Sequence, residues 1–395
     1  MNPITTIDAI HRADQNRLRN PNERAILSLL QRNGPTPGSD LARQTGLSAQ
    51  TISVILRKLK SDGLTRQCKP VRGKVGKPSV PIALNPLGAL SVGCKLGRRS
   101  CDLIVMDFCG TTLFKRNLMY DIAIPQTVFT FLAESYAEAL VEIGPKGTER
   151  LCGFGIAAPF EIWKWGASDG NTPGEFLSWK DLSFEREIAR FTDLPVFMMN
   201  DATSACWAEQ VYGRGREFSD YAYFFVSTFI GGGIVLNQAV YEGSRGNAGA
   251  FGPLRVGDRA GRTQQLLDVA SVHVLESALA QSGRGYRDLW KQPQDWSGFD
   301  AEVTDWIDGA AYAIAQACMS ACAVIDFEAV IIDGALPEDV RSRLVAAVRQ
   351  KLPDEDSRGL LMPEVAEGVI GGEARALGAA CDPIYSQFFS TTQQV

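Results

Sequence analysis

Ser48-Ala49-Gln50-Thr51-Ile52-Ser53-Val54-Ile55-Leu56-Arg57-Lys58-Leu59 decides the fold of the N-terminal part. Ile52, Ile55, Leu56 and Leu59 fall at i, i+3, i+4 and i+7, which is the spacing of one buried helical face, and Ser48 is a capping residue directly ahead of it. With that stripe turned inward, Ala49, Gln50, Ser53 and Arg57 face outward, with Thr51 and Lys58 on the flanks. Upstream, Asn20-Pro21-Asn22-Glu23 sets a cap residue, a first-turn Pro and an acid before Ile26, Leu29 and Leu30, predicting a helix that runs to about Asn33-Gly34. Thr36-Pro37 repeats the cap-then-Pro signal and predicts a short helix carrying Leu41 and Ala42 and ending at Gly46. Three helices with a tight Gly turn between the second and third make a helix-turn-helix.

The outward residues of the third helix are of the kind that reads a major groove. Gln pairs bidentately with adenine and Arg with guanine, while small hydroxyls meet phosphate or a thymine methyl. The expected DNA-contacting set is Ser48, Gln50, Thr51, Ser53, Arg57 and Lys58, the alternative being an ordinary solvent face. From Thr65 the chain predicts a short strand, a Gly-rich basic tip with Arg72, Lys74 and Lys77, and a second strand through Val80 to Leu84. Such a hairpin wing brings its cations to phosphate or into a narrow minor groove. A loop that is merely basic is the bland reading.

Charge divides along the same line. Residues 1–85 hold 14 Lys and Arg against 5 Asp and Glu, while residues 86–395 are acidic enough to bring the whole chain to −5. A basic module on an acidic one is a pattern of polyanion binding, because each cation placed on a phosphate releases a counterion; a solvated basic face explains the charge alone equally well. The 395 residues predict two or three domains. Nine scattered cysteines, none in a Cys-x-x-Cys pair, and a charged N-terminus point to reduced thiols and a cytoplasmic protein. Two histidines, His11 and His273, leave little from which to build a zinc site or a Ser-His-Asp triad. The Ala-rich run Gly309 to Ile325 is too short and too polar for a membrane span, and predicts an interior helix.

From Leu90 the pattern changes to strands alternating with helices: Leu90 to Cys94, Asp102 to Asp107, a helix about Thr127 to Ile143, Cys152 to Ile156, then Val196 to Met199 leading into a helix at Ala202 to Tyr212. Alternation predicts an α/β architecture. Gly76-Lys77-Pro78 with Leu84-Asn85-Pro86, Leu194-Pro195-Val196 to Asn200-Asp201-Ala202, Gly231-Gly232-Gly233-Ile234-Val235 and Gly246-Asn247-Ala248-Gly249 together resemble the ROK family of repressors, open reading frames and kinases. The resemblance covers nearly the full length. It implies a winged helix-turn-helix over 1–86 and a two-lobed actin-like ATPase, sugar kinase-like ROK domain over 87–395, with lobe one at about 87–200 plus the C-terminal helix and lobe two at about 201–374.

Departures from the family's kinases are equally informative. Where those resemble Asp-x-Gly-Gly-Thr, an Mg²⁺ and phosphate turn, this chain has Lys95-Leu96-Gly97-Arg98-Arg99; where they have a glycine-rich second loop, it has Ser227-Thr228-Phe229-Ile230; and Ile332-Asp333-Gly334-Ala335 is similarly depleted in glycine. A cation replaces an acid, and a ring occupies a place where bare backbone approaches nucleotide. The family's zinc module has no counterpart around Ala248 to Ala270, so no metal and no cofactor is expected. The resemblance implies an effector site at Asn200, Asp201 and Asn247. Ala250 and Pro253 replace the usual Glu and His sugar contacts, Asp201 as a helix N-cap is the structural alternative, and Trp163, Trp165 and Trp179 lie near the expected cleft. Arg98 and Arg99 read as a possible anion clamp or as ion pairs between the lobes.

The expected function is a non-enzymatic transcriptional regulator, a repressor of carbohydrate uptake or catabolism genes, relieved by a sugar-like effector between the lobes. Its expected partners are an operator in double-stranded DNA and a second copy of itself in a dimer or tetramer, with no membrane. An ATP-dependent sugar kinase with an appended DNA-binding domain, and a ligandless regulator under a protein partner, are the alternatives.

Overall fold

A computed structural model describes residues 19–70, 79–159, 162–164, 174–257 and 261–390. Helices of eight residues or more are numbered α1 to α9. In the N-terminal module, α1 (Pro21–Asn33) starts at Asn20, whose side chain accepts the Asn22 N–H at 2.9 Å. Helix α2 (Gly38–Thr45) stops at Gly46 in the left-handed region, φ 68°. Helix α3 (Ala49–Ser61) is capped by Ser48, whose Oγ accepts the Thr51 N–H at 3.1 Å. Ile52 and Leu59 are fully buried, and Ile55 and Leu56 half-buried beside them.

Thr36-Pro37 departs from expectation: Pro37 rather than Thr36 takes the N-cap position of α2, no side chain caps it, and the two residues form strand β1, paired antiparallel with Ile82 and Pro81 of β3 (Pro81–Leu84). Proline has no N–H to give a ladder, so it suits this two-residue edge, and the Thr36 hydroxyl turns back to the Gly34 carbonyl at 3.0 Å. With β2 (Thr65–Gln67) the order is β1-β3-β2, the sheet of a winged helix. The tip that carries Arg72, Lys74 and Lys77 lies outside the described residues.

The remainder is two lobes of matching topology. In the first, β4 (Leu90–Leu96), β5 (Ser100–Asp107) and β6 (Thr112–Met119) form an antiparallel meander, while β7 (Leu151–Ala158) and β8 (Val196–Asn200) add parallel strands on the other side of β4; α4 (Pro125–Thr148) links β6 to β7. After α5 (Asp201–Tyr212), the second lobe repeats the plan. Strands β9 (Tyr221–Val226), β10 (Gly231–Leu236) and β11 (Ala239–Tyr241) are antiparallel. A ribbon of β12 (Arg255–Gly257) and β13 (Thr263–Gln265), then α6 (Val272–Gln281) and α7 (Asp300–Val324), precede parallel β14 (Ala329–Gly334), α8 (Glu338–Lys351) and parallel β15 (Glu364–Glu367). Duplicated sheets with the hairpin on one side and parallel strands on the other are the actin-like ATPase arrangement that the sequence implied. Helix α7 is long and apolar enough to cross a membrane, but its Ala310, Ile314, Ala317 and Cys318 are buried in the core of lobe two.

Helix α9 (Ala374–Phe388) returns to the first sheet and ties three parts together. It lies so close to β7 and α5 that a Cβ on Gly155 would stand 1.8 Å from the Ala379 carbonyl oxygen, and one on Gly378 1.8 Å from that of Ser204. Ser91 and Ser204 donate to its Ala380 and Arg375 carbonyls, both at 2.6 Å. At its far end Phe388 and Phe389 pack on Phe108, with ring centroids 5.3 and 5.2 Å apart, in one core with Ile26, Leu27 and Leu30 of α1. Arg24 of α1 donates from Nε to the Phe389 carbonyl at 2.6 Å, and the Ser390 N–H donates to the Ser28 hydroxyl at 2.9 Å. The winged helix is therefore docked on the end of α9.

Candidate functional site

Two surfaces gather the residues singled out by the sequence. On α3, Ala49, Gln50, Ser53 and Arg57 are exposed, as the apolar stripe on the opposite face requires. Ser48 and Thr51 spend part of their hydrogen bonding on the cap, their hydroxyl oxygens 2.8 Å apart. Lys58 is half-exposed and reaches the buried Glu23 of α1, so one of the expected phosphate cations also fastens α3 to α1. Val54, 53% exposed between Ser53 and Ile55, interrupts the polar pattern of that face. An apolar group there suits a thymine methyl. Between α3 and the wing strands lies a concavity of about 480 Å³ lined by Ser53, Arg57, Lys60, Arg66 and Gln67, wider than the α3 residues alone implied.

The second surface is a cleft of about 240 Å³ between the lobes. Asn200 and Asp201 arrive at the end of β8, where open α/β sheets place ligands, and Asn247 comes from the loop after β11. That loop presses on β10: a Cβ on Gly249, at φ 77°, would meet the Gly233 Cα at 2.5 Å, which explains why Asn247-Ala248-Gly249 sits opposite a triple glycine. All three expected effector residues thus line one cavity, together with Ala250 and Pro253.

Asp201 is not the helix cap. Asn200 fills that place, its Oδ1 accepting the N–H groups of Ala202 at 2.9 Å and Thr203 at 3.3 Å, which leaves Asp201 as the first residue of α5. Its carboxylate instead pairs with Nη1 of Arg375 on α9 at 3.2 Å. Arg375 is 7% exposed, lies 5.2 Å from the Phe225 ring centroid, and leaves its Nε without a hydrogen-bond partner. No local sequence signal marks Arg375, because the contact that defines it spans more than 170 residues.

The two turns that correspond by resemblance to the kinases' phosphate loops are filled. Lys95 is buried, with Nζ 3.1 Å from Asp102, 2.6 Å from the Ser100 hydroxyl and 3.1 Å from the Ser100 carbonyl. Burial pulls its ammonium below the ordinary range against the pull of Asp102; burial also raises the Asp102 carboxyl, but Lys95 and Asn117 outweigh this and hold it below. Phe229 lines the cleft, with the Arg98 guanidinium 5.1 Å over its ring. Arg99 makes an interlobe ion pair, to Glu276 of α6. Trp179 is a core residue, 2% exposed and donating its indole N–H to the Ala123 carbonyl, and Trp163 packs on the same core; Trp165 lies outside the described residues. Among the described residues, no group of three His, Cys, Asp or Glu side chains is arranged to hold a metal ion.

A winged helix-turn-helix DNA-binding profile matches residues 19–64, and the ROK family profile matches residues 91–381. The chain belongs to the ROK family. The relatives it resembles include both repressors and kinases. It is 25% identical over 244 residues to a xylose repressor of Bacillus subtilis, an alignment spanning 62% of each chain, so it covers less than two thirds of that repressor. It is 27% identical over 212 residues to an N-acetylmannosamine kinase of Haemophilus influenzae, covering 51% of this chain and 67% of the kinase. Among solved structures, a ROK family transcriptional regulator described as a homolog of the E. coli MLC protein superposes with a TM-score of 0.65, covering 93% of this chain and 96% of that one at 19% identity. At that identity the likeness concerns the fold, winged helix included.

Proposed function

We propose that this ROK protein is a DNA-binding repressor of carbohydrate uptake or catabolism genes, released from its operator by a small sugar-like effector held between the lobes at Asn200, Asp201 and Asn247. The observation that carries this reading is helix α9: its first turn brings Arg375 to the cleft beside Asp201, and its last turn brings Phe388 and Phe389 under the winged helix. A ligand that moves Asp201 pulls on the same rod that seats the DNA-binding module. Gln50, Ser53 and Arg57 read bases, while Ser48, Thr51 and Lys58 and the wing cations Arg72, Lys74 and Lys77 hold phosphate.

The protein acts without catalysis in this reading. Lys95 and Phe229 occupy the places of the Mg²⁺ acid and of a nucleotide-facing glycine, so a base at Asp201 has no phosphoryl donor to serve. It works in the cytoplasm as a dimer or tetramer, since paired recognition helices read half-sites about one helical turn apart. Selection of a duplex from a random library, followed by anisotropy titration against a panel of pentoses, hexoses and their acids, tests it. Sequence-specific binding relieved by one panel member is the expected result; binding that no small molecule alters would favour control by a protein partner.

A further inference from the structure

Lobe two carries an apolar patch that its own core does not use. Val324, the last residue of α7, is 82% exposed, and Leu361, in the loop that leads into β15, is 78% exposed. Together with Leu360 and Asp326 they line a dent of about 570 Å³, and Met362 stands exposed next in the chain. Single exposed apolar side chains are ordinary on a soluble protein, whereas several around one hollow mark a surface that a partner covers. The patch lies at the end of the body that carries the winged helix, and a short run of contacts joins the two. Arg216 donates to the Arg32 carbonyl of α1 at 3.5 Å, and in the same turn Arg214 reaches Glu364, the first residue of β15, at 4.0 Å. The Glu364 N–H donates to the Glu328 carbonyl at 2.9 Å, and the Glu328 carboxylate accepts the Asp220 N–H at 3.0 Å, so the starts of β9, β14 and β15 are gathered in one place. Val324 lies four residues before Glu328, and Leu361 three before Glu364.

We propose that this patch is the face on which a second copy of the chain docks, about a two-fold axis that leaves both winged helices on one side of the pair. A two-fold axis sets one surface against itself, so a face must supply both the protruding side chain and the hollow that receives it. Leu361 is the knob, and the dent beside Val324 and Leu360 is the hole. An axis next to the winged helices also keeps the two recognition helices within reach of half-sites one helical turn, about 34 Å, apart. Asp326 at the dent adds one acid from each copy to the interface, so association should tighten as salt screens the pair. A cationic partner segment would instead be driven off by salt. The assignment rests on the reading that paired winged helices hold the operator.

Sedimentation equilibrium of the full chain, as wild type and as Leu361→Glu and Val324→Gln, tests it. Wild type should be dimeric, with a dissociation constant that falls as salt rises. Each substitution counts twice across the axis and should raise that constant about tenfold or more. Both side chains are exposed on the single chain, so at high dilution the variants should melt like wild type. On a selected operator with two half-sites the variants should lose about tenfold or more in affinity, while a duplex with one half-site should hold them as it holds wild type. Variants that dimerise as tightly as wild type would overturn the assignment and leave a dimer joined through another face. A dissociation constant that rises with salt would overturn it in favour of an ion-paired contact. If wild type stays monomeric and still binds the operator, the dimer reading falls together with this face. If wild type selects no duplex, the regulator reading falls, and sedimentation still decides the face.

Discussion

Arg99 and Glu276 join the two lobes through a bidentate pair, Nε to Oε1 at 3.0 Å and Nη2 to Oε2 at 2.9 Å. Arg99 sits in the β4–β5 turn of lobe one and Glu276 on α6 of lobe two. Trp290 adds an indole N–H to the same carboxylate at 2.6 Å, and the Arg99 guanidinium lies 4.9 Å from the Tyr286 ring centroid. One buried carboxylate thus ties the β4–β5 turn of lobe one to α6 of lobe two.

That carboxylate has a pH signature. Burial pushes Glu276 up, but the His273 ring, whose Nδ1 lies 3.6 Å away, hydrogen bonds from Arg99 and Trp290 and the Arg99 charge outweigh it and bring it down from 4.5 to about 2. A folded value below the unfolded one adds stability above pH about 4.5, which is lost as pH falls toward about 2. The contribution at neutral pH is about 3 kcal/mol. Glu276→Gln should therefore be less stable than wild type in urea unfolding at pH 7, with the gap closing between pH 4.5 and 2.5. A gap independent of pH would show that the pair contributes through packing alone.

Operator binding should separate the two classes of contact. Arg57→Ala and Gln50→Ala should each cost about 1–3 kcal/mol on the selected operator and relax specificity at one base. Lys74→Ala or Lys77→Ala should weaken every sequence alike and lower the slope of log affinity against log salt by about 0.9. Anisotropy titrations at several salt concentrations on operator variants check both. A uniform loss for Arg57→Ala would move it to the phosphate class.

No phosphoryl transfer from ATP to any hexose or pentose should be detectable, and ATP should not raise the melting temperature. Lys95 is committed to Asp102 and Ser100, so the turn presents no acid to Mg²⁺. Turnover above a blank without enzyme in a coupled assay would restore the kinase reading.

Helix α9 makes a prediction of opposite signs for one kind of substitution. Gly155→Ala drives a methyl into the Ala379 carbonyl and should cost about 3 kcal/mol or prevent folding, whereas Gly309→Ala, inside α7 with nothing within 4 Å of its Cβ, should stabilise by about 0.5–1 kcal/mol. Thermal melts of the two variants check this; a Gly155→Ala chain as stable as wild type would show that α9 is not seated against β7 at that distance.

What the sequence carried was local. The α3 stripe, the strand at Val196 leading into α5, and the glycines facing Asn247 are periodic or turn signals readable within ten residues, and each forms the element it implied. The misreadings came where a local signal met a distant partner. Thr36-Pro37 resembles a cap until Ile82 pairs with it, and Asp201 resembles a cap until Asn200 takes the N–H groups and Arg375 takes the carboxylate. Trp179 lay close in sequence to the expected cleft, yet its ring is needed in the core with Phe129 and Phe184.

Asp201 gives the sharpest test of the cleft, because capping, pairing and effector binding now belong to different atoms. Asn200→Ala removes the cap and should cost about 1 kcal/mol, while Asn200→Asp keeps it. Asp201→Asn leaves Arg375 buried without its counter-charge and should cost about 3 kcal/mol, more than a lost cap. The double variant Asp201→Asn with Arg375→Met removes both charges and should recover most of that stability, since an apolar side chain replaces a desolvated ion. It should not recover the effector: the concentration needed for half-release of the operator should stay about ten- to a hundredfold above wild type, the worth of a charged hydrogen bond. If the double variant melts like wild type and is released at the wild-type concentration, Asp201 and Arg375 serve only to clamp α9 to α5, and the effector must be sought around Asn247 alone.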